Sequence, residues 1–344
     1  MSVSLETTYL GLKLSSPLIP SASPLSKSLD TVKVLEEMGA GAIVLYSLFE
    51  EDIEKETSSL EQSLTVGAES FAEALSYVPD VPTLRIGPDY YLDHLMRVKQ
   101  SVGIPVIASL NAQNPGQWIK FAKLIEEAGA DGLELNLYSI PTIASLSSQE
   151  LEKKYLEVIK ACRQAVKIPI AVKLSPFFTN FFSFSSLVEQ TEVNGLVLFN
   201  RFFQPDIDLE NMNVEPRITL STENELLLRI TWIGILFNRL KLDLSATGGV
   251  LTATDALKAI LSGATTVQLC SALLYHGVEY LKTIRNGMVE WMEKKGYYSV
   301  SSIRGLLSQK NCPDPSSYER AQYVYALSVY PTPSLSGLEK KERG

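Results

Sequence analysis

Several stretches of this sequence carry side chains whose types and spacing can do chemistry. Two glycines follow an apolar run in Ala246-Thr247-Gly248-Gly249-Val250. Lacking a Cβ, they let backbone N–H groups approach an anion closely, so the stretch reads as a phosphate loop or as a plain tight turn. Cys270-Ser271 closes the next apolar run and brings more polar atoms to the same neighbourhood. Lys173 lies in Ile170-Ala171-Val172-Lys173-Leu174-Ser175. An ammonium there is costly unless a cofactor carbonyl, an anionic ring or a carboxylate such as Glu134 stabilises it. Asn136 and Asn200 each end an apolar run, and an amide suits either the edge of a heteroaromatic ring or a neighbouring loop. Arg201 offers a bidentate fork for a carboxylate, or stands on the surface.

Other chemistries find no foothold. His94 and His276 have neither a second histidine nor a carboxylate at ligand spacing, which argues against zinc. Cys162, Cys270 and Cys312 stand far apart, so they neither frame disulfides nor supply the four thiolates of an iron–sulfur cluster. Serine-hydrolase elbows, Walker loops and dinucleotide fingerprints are absent from the sequence. Any redox chemistry then falls to an organic cofactor or to a partner's metals, in a reducing, cytoplasmic setting.

The elements that would position these residues recur along the chain. An amphipathic helix, a Gly-Ala or similar pair, and a short apolar strand appear as Val32–Ala40 with Ala42–Ser47. The unit returns as Trp118–Ala130 with Gly132–Tyr138, and as Asp255–Ala264 with Thr266–Ala272. Further apolar runs at Pro17–Ala22, Val106–Asn111, Pro169–Ser175, Gly195–Asn200 and Leu242–Thr247 bring the strands to about eight. They lack polar alternation, as strands buried on both faces of a parallel sheet do. Ser147-x-x-Glu150 and Thr222-x-x-Glu225 read as capping boxes, and Thr254-Asp255 as a helix start. Eight strand–helix units favour a (β/α)8 TIM barrel with long βα-loop insertions; an open doubly wound sheet is the alternative. In a barrel the reactive side chains gather at the strands' C-terminal ends. That picks out Ser21, Ser23, Tyr46, Ser47, Ser109, Asn111, Asn136, Tyr138, Ser139, Lys173, Ser175, Asn200, Arg201, Thr247, Gly248, Gly249, Cys270 and Ser271.

Two segments exceed a simple connection, Glu50 to Gly103 and Arg201 to Leu220, and long loops on that face shape or cover a site. The barrel is expected over residues 1–310 and a C-terminal extension over 311–344, disordered at its end. The 344 residues are 45% hydrophobic and 20% charged, ordinary for a globular enzyme. A net charge of −8 disfavours nucleic acid and acidic membranes. No apolar stretch reaches membrane-spanning length, and the polar segment Met1 to Tyr9 argues against a signal peptide.

From about Leu10 to Leu307 the chain resembles, collinearly, the dihydroorotate dehydrogenase family, and within it the divergent dihydroorotate dehydrogenase-like branch. The resemblance is carried by Leu10 to Pro17, Ser21-Ala22-Ser23, the segment Gly87 to Asp93, Glu134 to Leu137, Ala171 to Pro176, Asn200, Thr247 to Val250, and Cys270 to Ala272. It implies FMN as cofactor, contacted by Ala22, Ser23, Ser47, Asn111, Asn136, Lys173, Asn200, Thr247, Gly248, Gly249, Cys270 and Ser271. It implies Ser139 as the base that removes a proton from substrate carbon while a hydride passes to the flavin, with Lys173 steadying the reduced ring. Asn136, Asn200 and Arg201 would hold a small-molecule substrate. The resemblance also implies a role in pyrimidine biosynthesis, a soluble electron acceptor or a redox partner, and a homodimer.

The substrate half departs from the family pattern. Where the family continues Asn-Leu-Ser-Cys/Ser-Pro-Asn, this chain has Asn136-Leu137-Tyr138-Ser139-Ile140-Pro141-Thr142, so the second asparagine is missing. Tyr46 stands where the family has a lysine, and Arg201 where it has a serine. The asparagine-bearing loop reads Tyr77 to Thr83, and the glycine-rich turn before helix six reads Pro216 to Thr222. Each lost hydrogen bond to a buried polar group is worth about 1–3 kcal/mol. Three functions stay open at this point: an FMN-dependent dehydrogenase acting on dihydroorotate or a related CH–CH substrate; a barrel lyase, isomerase or synthase holding a phosphorylated substrate without flavin; and a flavin subunit of an electron-transfer complex.

Overall fold

The computed structural model describes residues 3–50, 88–111, 115–201, 204–215 and 219–329. Eight parallel strands form one sheet: β3 (Leu18–Pro20), β4 (Ile43–Phe49), β5 (Val106–Asn111), β6 (Gly132–Asn136), β7 (Ile170–Leu174), β8 (Gly195–Leu198), β11 (Asp243–Thr247) and β12 (Thr266–Leu269). All eight fall within or against the expected runs. Strand β12 returns to pair with β3, Val267 opposite Leu18. At the seam between β3 and β4 the Gly41 N–H donates to the Leu18 carbonyl at 2.9 Å, drawing the sheet into a barrel. The open-sheet alternative is thereby set aside.

Two strand ends differ from expectation. Strand β4 runs on past Ser47 to Phe49, and β12 stops at Leu269 because Cys270 turns (φ −133°, ψ −68°) and Ser271 starts a helix. Helices wrap the outside: α1 (Leu29–Glu37), α2 (Pro88–Ser101), α3 (Pro115–Glu127), α4 (Ser148–Ala165), α5 (Phe181–Glu189), α6 (Asn224–Leu236), α7 (Ala253–Ser262), α8 (Ser271–His276) and α9 (Tyr280–Lys295). Their apolar stripes and the outward faces of the strands make the main core, with Leu35, Phe121, Ile159, Phe184, Ile233 and Ile260 fully buried. The capping box at Ser147 and Glu150 is formed in full. At α6 only half exists: Glu225 reaches the Thr222 N–H, but the Thr222 hydroxyl caps nothing. For α7 the cap is Thr252 rather than Thr254, because the Asp255 carboxylate reaches back to the Leu251 and Thr252 N–H groups.

The N-terminal mouth is stopped by a hairpin whose three-residue strands are too short to show periodicity: β1 (Thr7–Tyr9) and β2 (Leu12–Leu14). Leu10 and Gly11 both have positive φ, as a primed two-residue turn requires. Tyr9, Leu10 and Leu14 pack on Ile19, Val44, Ile107, Ala171 and Val197 inside the barrel. The Leu10 N–H is held by Asp243 Oδ2 at 2.8 Å. With one mouth plugged, ligand access is left to the other.

Of the two long segments, residues 51–87 lie outside the described residues, and with them the Tyr77 to Thr83 loop. The second carries a small exposed hairpin, β9 (Asp206–Asp208) with β10 (Asn213–Glu215); residues 202–203 and 216–218, including Pro216, lie outside the description. Beyond residue 310 the Tyr318 ring lies where a Cβ on Gly234 of α6 would fall, 2.4 Å away. The end of the extension, expected to be disordered, lies outside the described residues, which stop at 329. Among those described, no helix is long and apolar enough to cross a membrane.

Candidate active site

At the C-terminal ends of the strands opens a cavity of about 610 Å3, within the range of small-molecule and cofactor sites. It gathers Ala22 and Ser23 after β3, Ser47 on β4, Asn136 on β6 and Lys173 on β7. Asn200 and Arg201 after β8, Thr247, Gly248 and Gly249 at the end of β11, and Cys270 and Ser271 after β12 complete it. Most residues singled out by strand-end position thus share one space; Ser109, Asn111, Tyr138, Ser139 and Ser175 do not line it. Asn111 is buried at the end of β5 but does not line the cavity. Ser139 is exposed on the segment after β6, its hydroxyl 2.5 Å from that of Tyr155, and does not line the cavity either. Burial pushes the Tyr155 hydroxyl pKa up, and the hydrogen bond with Ser139 pulls it down.

The floor of the cavity is a charged cluster inside the barrel. Lys173 Nζ lies 3.3 Å from Glu134 Oε1, and Gln268 Nε2 donates to Glu134 Oε2 at 2.8 Å. The Lys173 and Glu134 side chains are 9% and 1% exposed, so the pair is desolvated and removing one partner would strand the other. Lys173 therefore pairs with the carboxylate that its strand-end position suggested, and it also faces the cavity. An ammonium has three donors and Glu134 takes one of them. Asn200 Nδ2 donates to Asn136 Oδ1 across the cavity top, which leaves one donor amide and one acceptor carbonyl of the pair for a ligand.

The glycine turn is pressed onto the start of α6. Gly248 and Gly249 have φ of +90° and +78°. A Cβ on Gly249 would lie 2.4 Å from the Leu226 nitrogen and 2.9 Å from the Thr222 carbonyl oxygen. Beneath Gly248 lies the Arg229 guanidinium, its Nη2 2.9 Å from where a Cβ would be. Arg229 donates from Nε to the Thr247 carbonyl at 2.9 Å and from Nη1 to the Glu225 carbonyl at 2.8 Å. Burial pulls its pKa down while Glu225, 3.6 Å away, pulls it up. The neighbouring loop is tied in by the Ser221 N–H, which donates to Ser271 Oγ at 2.9 Å. Two backbone turns, the start of α6 and a buried cation thus meet beside the cavity. Burial also raises the Cys270 thiol pKa, against the opposing pull of Lys173, Ser23 and Arg201.

The remaining wall is aromatic and cationic. Tyr46 meets Tyr91 edge-on at 5.1 Å, and Tyr91 is fixed by accepting the Ser109 N–H at 3.1 Å. Lys27 Nζ stands 5.1 Å from the Tyr46 ring centroid and lines the cavity. An ammonium has thus come in from the loop after β3 beside the position where a tyrosine replaces the strand lysine. Arg201 stands at the rim, bonded to Thr219 Oγ1 at 3.0 Å and 3.7 Å from Glu225. Among the described residues no cluster of three or more His, Cys, Asp or Glu side chains could hold a metal ion.

Residues 84–292, from just before α2 into α9, match the model of the family described as dihydroorotate dehydrogenase. The chain belongs to that family. Among its relatives, the dihydroorotate dehydrogenase B (NAD(+)) catalytic subunit of Methanothermobacter thermautotrophicus is 25% identical over 312 residues, covering 88% of this chain and 98% of that one. The dihydroorotate dehydrogenase A (fumarate) of Lactococcus lactis is 24% identical over 317 residues, 88% and 99% of the two chains. A putative dihydroorotate dehydrogenase A (fumarate) of Aeropyrum pernix is 28% identical over 216 residues, 61% and 70%. The collinear resemblance carried by the strand-end residues is therefore one of descent, and as a dihydroorotate dehydrogenase family member the chain is an oxidoreductase acting on CH–CH groups.

Sequence reading passed over three residues of the dihydroorotate dehydrogenase-like site. Gln268 had a legible signal, a polar side chain inside the apolar run Thr266 to Leu269, like Lys173 in its own strand. Arg229 had a weaker one, a lone charge in Leu226-Leu227-Leu228-Arg229-Ile230. Lys27 had none, since its place depends on how the turn after β3 folds back over β4.

Proposed function

We propose that this chain is an FMN-dependent oxidoreductase that oxidises a CH–CH bond of dihydroorotate or a related carboxylated ring. The observation that carries the reading is one cavity joining the Lys173–Glu134–Gln268 floor to the Gly248-Gly249 turn. A flat heterocycle with a phosphate arm needs a donor for its carbonyl edge at one end and Cβ-free backbone at the other. The fit is supported by Gly248 and Gly249, which line the cavity with backbone at positive φ. Bound there, FMN would supply the two-electron chemistry by accepting hydride from substrate carbon.

The protein's own residues have separable tasks. Lys173 would hold the N1–C2 carbonyl edge of the ring and stabilise negative charge on it. Thr247, Gly248, Gly249 and Ser271 would hold the phosphate, with Arg229 supporting the turn from below. Ala22, Ser23, Ser47, Cys270 and, from the end of β5, Asn111 complete the cofactor's surroundings. Asn136 and Asn200 would orient the substrate amide, and Arg201 and Lys27 would draw its carboxylate. The family resemblance gives the proton to Ser139, which pairs with the Tyr155 hydroxyl outside the cavity, so the segment after β6 would have to carry it to the substrate. Relatives named as catalytic subunits of an NAD(+)-linked enzyme and as fumarate enzymes support a partner protein or a soluble acid as electron acceptor. The reading carries with it a cytoplasmic setting and a homodimer.

The test is an anaerobic titration of the FMN-loaded protein with dihydroorotate, following the visible flavin absorption. Stoichiometric bleaching is expected. A flavin that dithionite bleaches but neither dihydroorotate nor its carboxylated analogues reduce would overturn the substrate assignment.

A further inference from the structure

Three cationic side chains line the cavity, those of Lys27, Lys173 and Arg201. Two of them already face a carboxylate: Lys173 lies 3.3 Å from Glu134, and Arg201 lies 3.7 Å from Glu225 and bonds to Thr219. Lys27 has no carboxylate at ion-pair distance among the described residues; its neighbour is the Tyr46 ring, 5.1 Å from Nζ to the centroid. An aromatic face steadies an ammonium without neutralising its charge. The side chain is also exposed, so an anion entering the cavity can reach it.

An exposed lysine is ordinarily mobile, but this one springs from a pinned turn. It ends the short 3-10 helix Pro24–Lys27, and the residue before it, Ser26, is buried and bonded three ways. Ser26 Oγ accepts the Tyr46 N–H at 2.7 Å and donates to the Ser23 carbonyl at 3.0 Å. From α2, His94 Nε2 donates to the Ser26 carbonyl at 2.7 Å, the proton lying on Nε2 because a carbonyl only accepts. The turn is thereby tied to β4 and to α2, and Lys27 is set over the Tyr46 ring at the cavity wall. Arg201, after β8, stands on the opposite side, because β4 and β8 are four strands apart in the ring of eight. Both cations attract an acid to the mouth, but only Lys27 keeps its charge uncompensated within the described residues. We infer that Lys27 is the specificity-determining residue that binds the substrate's carboxylate, selecting a ring acid over the corresponding neutral amide. The inference rests on the proposed oxidation of a carboxylated ring and assigns the group that recognises the acid.

The experiment follows flavin reduction in the FMN-loaded protein by dihydroorotate and by dihydroorotamide, in which a neutral amide replaces the carboxylate. The quantity read is the ratio of the two half-saturating concentrations, in the wild type, Lys27→Met and Lys27→Arg. The wild type is expected to prefer the acid by about 5- to 30-fold, between the worth of an exposed ion pair and that of a buried charge-assisted hydrogen bond. Lys27→Met should bring the two compounds within about threefold of each other by weakening the acid alone. Lys27→Arg, which keeps the charge, should retain most of the preference. A wild type that takes acid and amide equally overturns the inference. So does a preference that survives intact in Lys27→Met, or a Lys27→Met protein that weakens both compounds alike or no longer holds FMN. A wild type whose flavin dithionite bleaches but neither compound reduces would instead overturn the proposed substrate, and the assignment of Lys27 falls with it, so the two failures are distinguishable.

Discussion

Replacing Lys173 by methionine keeps the side chain's length and removes its charge, leaving the Glu134 carboxylate 1% exposed with Gln268 as its remaining partner. Removing one member of a buried ion pair costs about 3–5 kcal/mol, because the charge left behind is desolvated and unpaired. With an unfolding entropy near 2.1 cal/mol/K per residue, the 282 described residues lose roughly 0.6 kcal/mol of stability per kelvin around the midpoint. The flavin-free Lys173→Met protein should therefore melt about 5–8 °C below the wild type in scanning calorimetry at neutral pH. Adding Glu134→Gln removes the stranded charge and keeps an acceptor for Gln268 Nε2, so the double variant should regain at least half of that loss. A single variant that melts with the wild type, or a double variant no better than the single one, would refute the claim that this cluster is a coupled, desolvated unit. Lys173→Ala should also weaken FMN binding or slow flavin reduction; unchanged values of both would break the assignment of β7 to the cofactor.

Gly249→Ala places a methyl group 2.4 Å from the Leu226 nitrogen at φ +78°. It should erase the preference for FMN over riboflavin, a difference set by the phosphate alone, and a preference kept intact in titrations would move the phosphate elsewhere. Ser139→Ala should leave FMN affinity unchanged and slow reduction by substrate by about two to four orders of magnitude in stopped-flow traces; normal turnover would require another base. Burial pushes the Cys162 thiol pKa up to about 12, so native protein should resist iodoacetamide there at mild alkaline pH, as read by mass spectrometry. Cys270 has its pKa raised as well, mainly by burial. Its alkylation should be slow near neutrality and accelerate as the pH rises past that of an ordinary thiol. FMN should protect it, and modification indifferent to FMN would remove Cys270 from the cofactor wall.

How much of this was legible beforehand follows from the range of the forces involved. The barrel strands announce themselves because burial on both faces demands continuous apolar runs, and the glycines between helix and strand mark the turns. Lys173 and Gly248-Gly249 stand out because a buried charge and a doubled glycine are each anomalous in an apolar strand and its end. The N-terminal hairpin escaped because three residues show no period and its stability comes from the barrel interior that it plugs. Lys27 escaped because its ammonium reaches the cavity through tertiary packing of the turn after β3 against Tyr46. Thr252 and Thr254 both precede Asp255, and only the backbone path shows which N–H groups its carboxylate can reach. The departures at Tyr46 and Arg201 mark the substrate half as different from the family pattern, but give no sign that Lys27 stands over the Tyr46 ring and lines the cavity.

The central claim is that this cavity is a flavin mononucleotide site, and equilibrium binding of FMN to the purified, flavin-free chain tests it most directly. The account predicts saturation at one FMN per chain with quenched flavin fluorescence, weakened by Lys173→Ala and by Gly249→Ala. A chain that leaves FMN free in solution, or binds it equally well with both residues replaced, would contradict it.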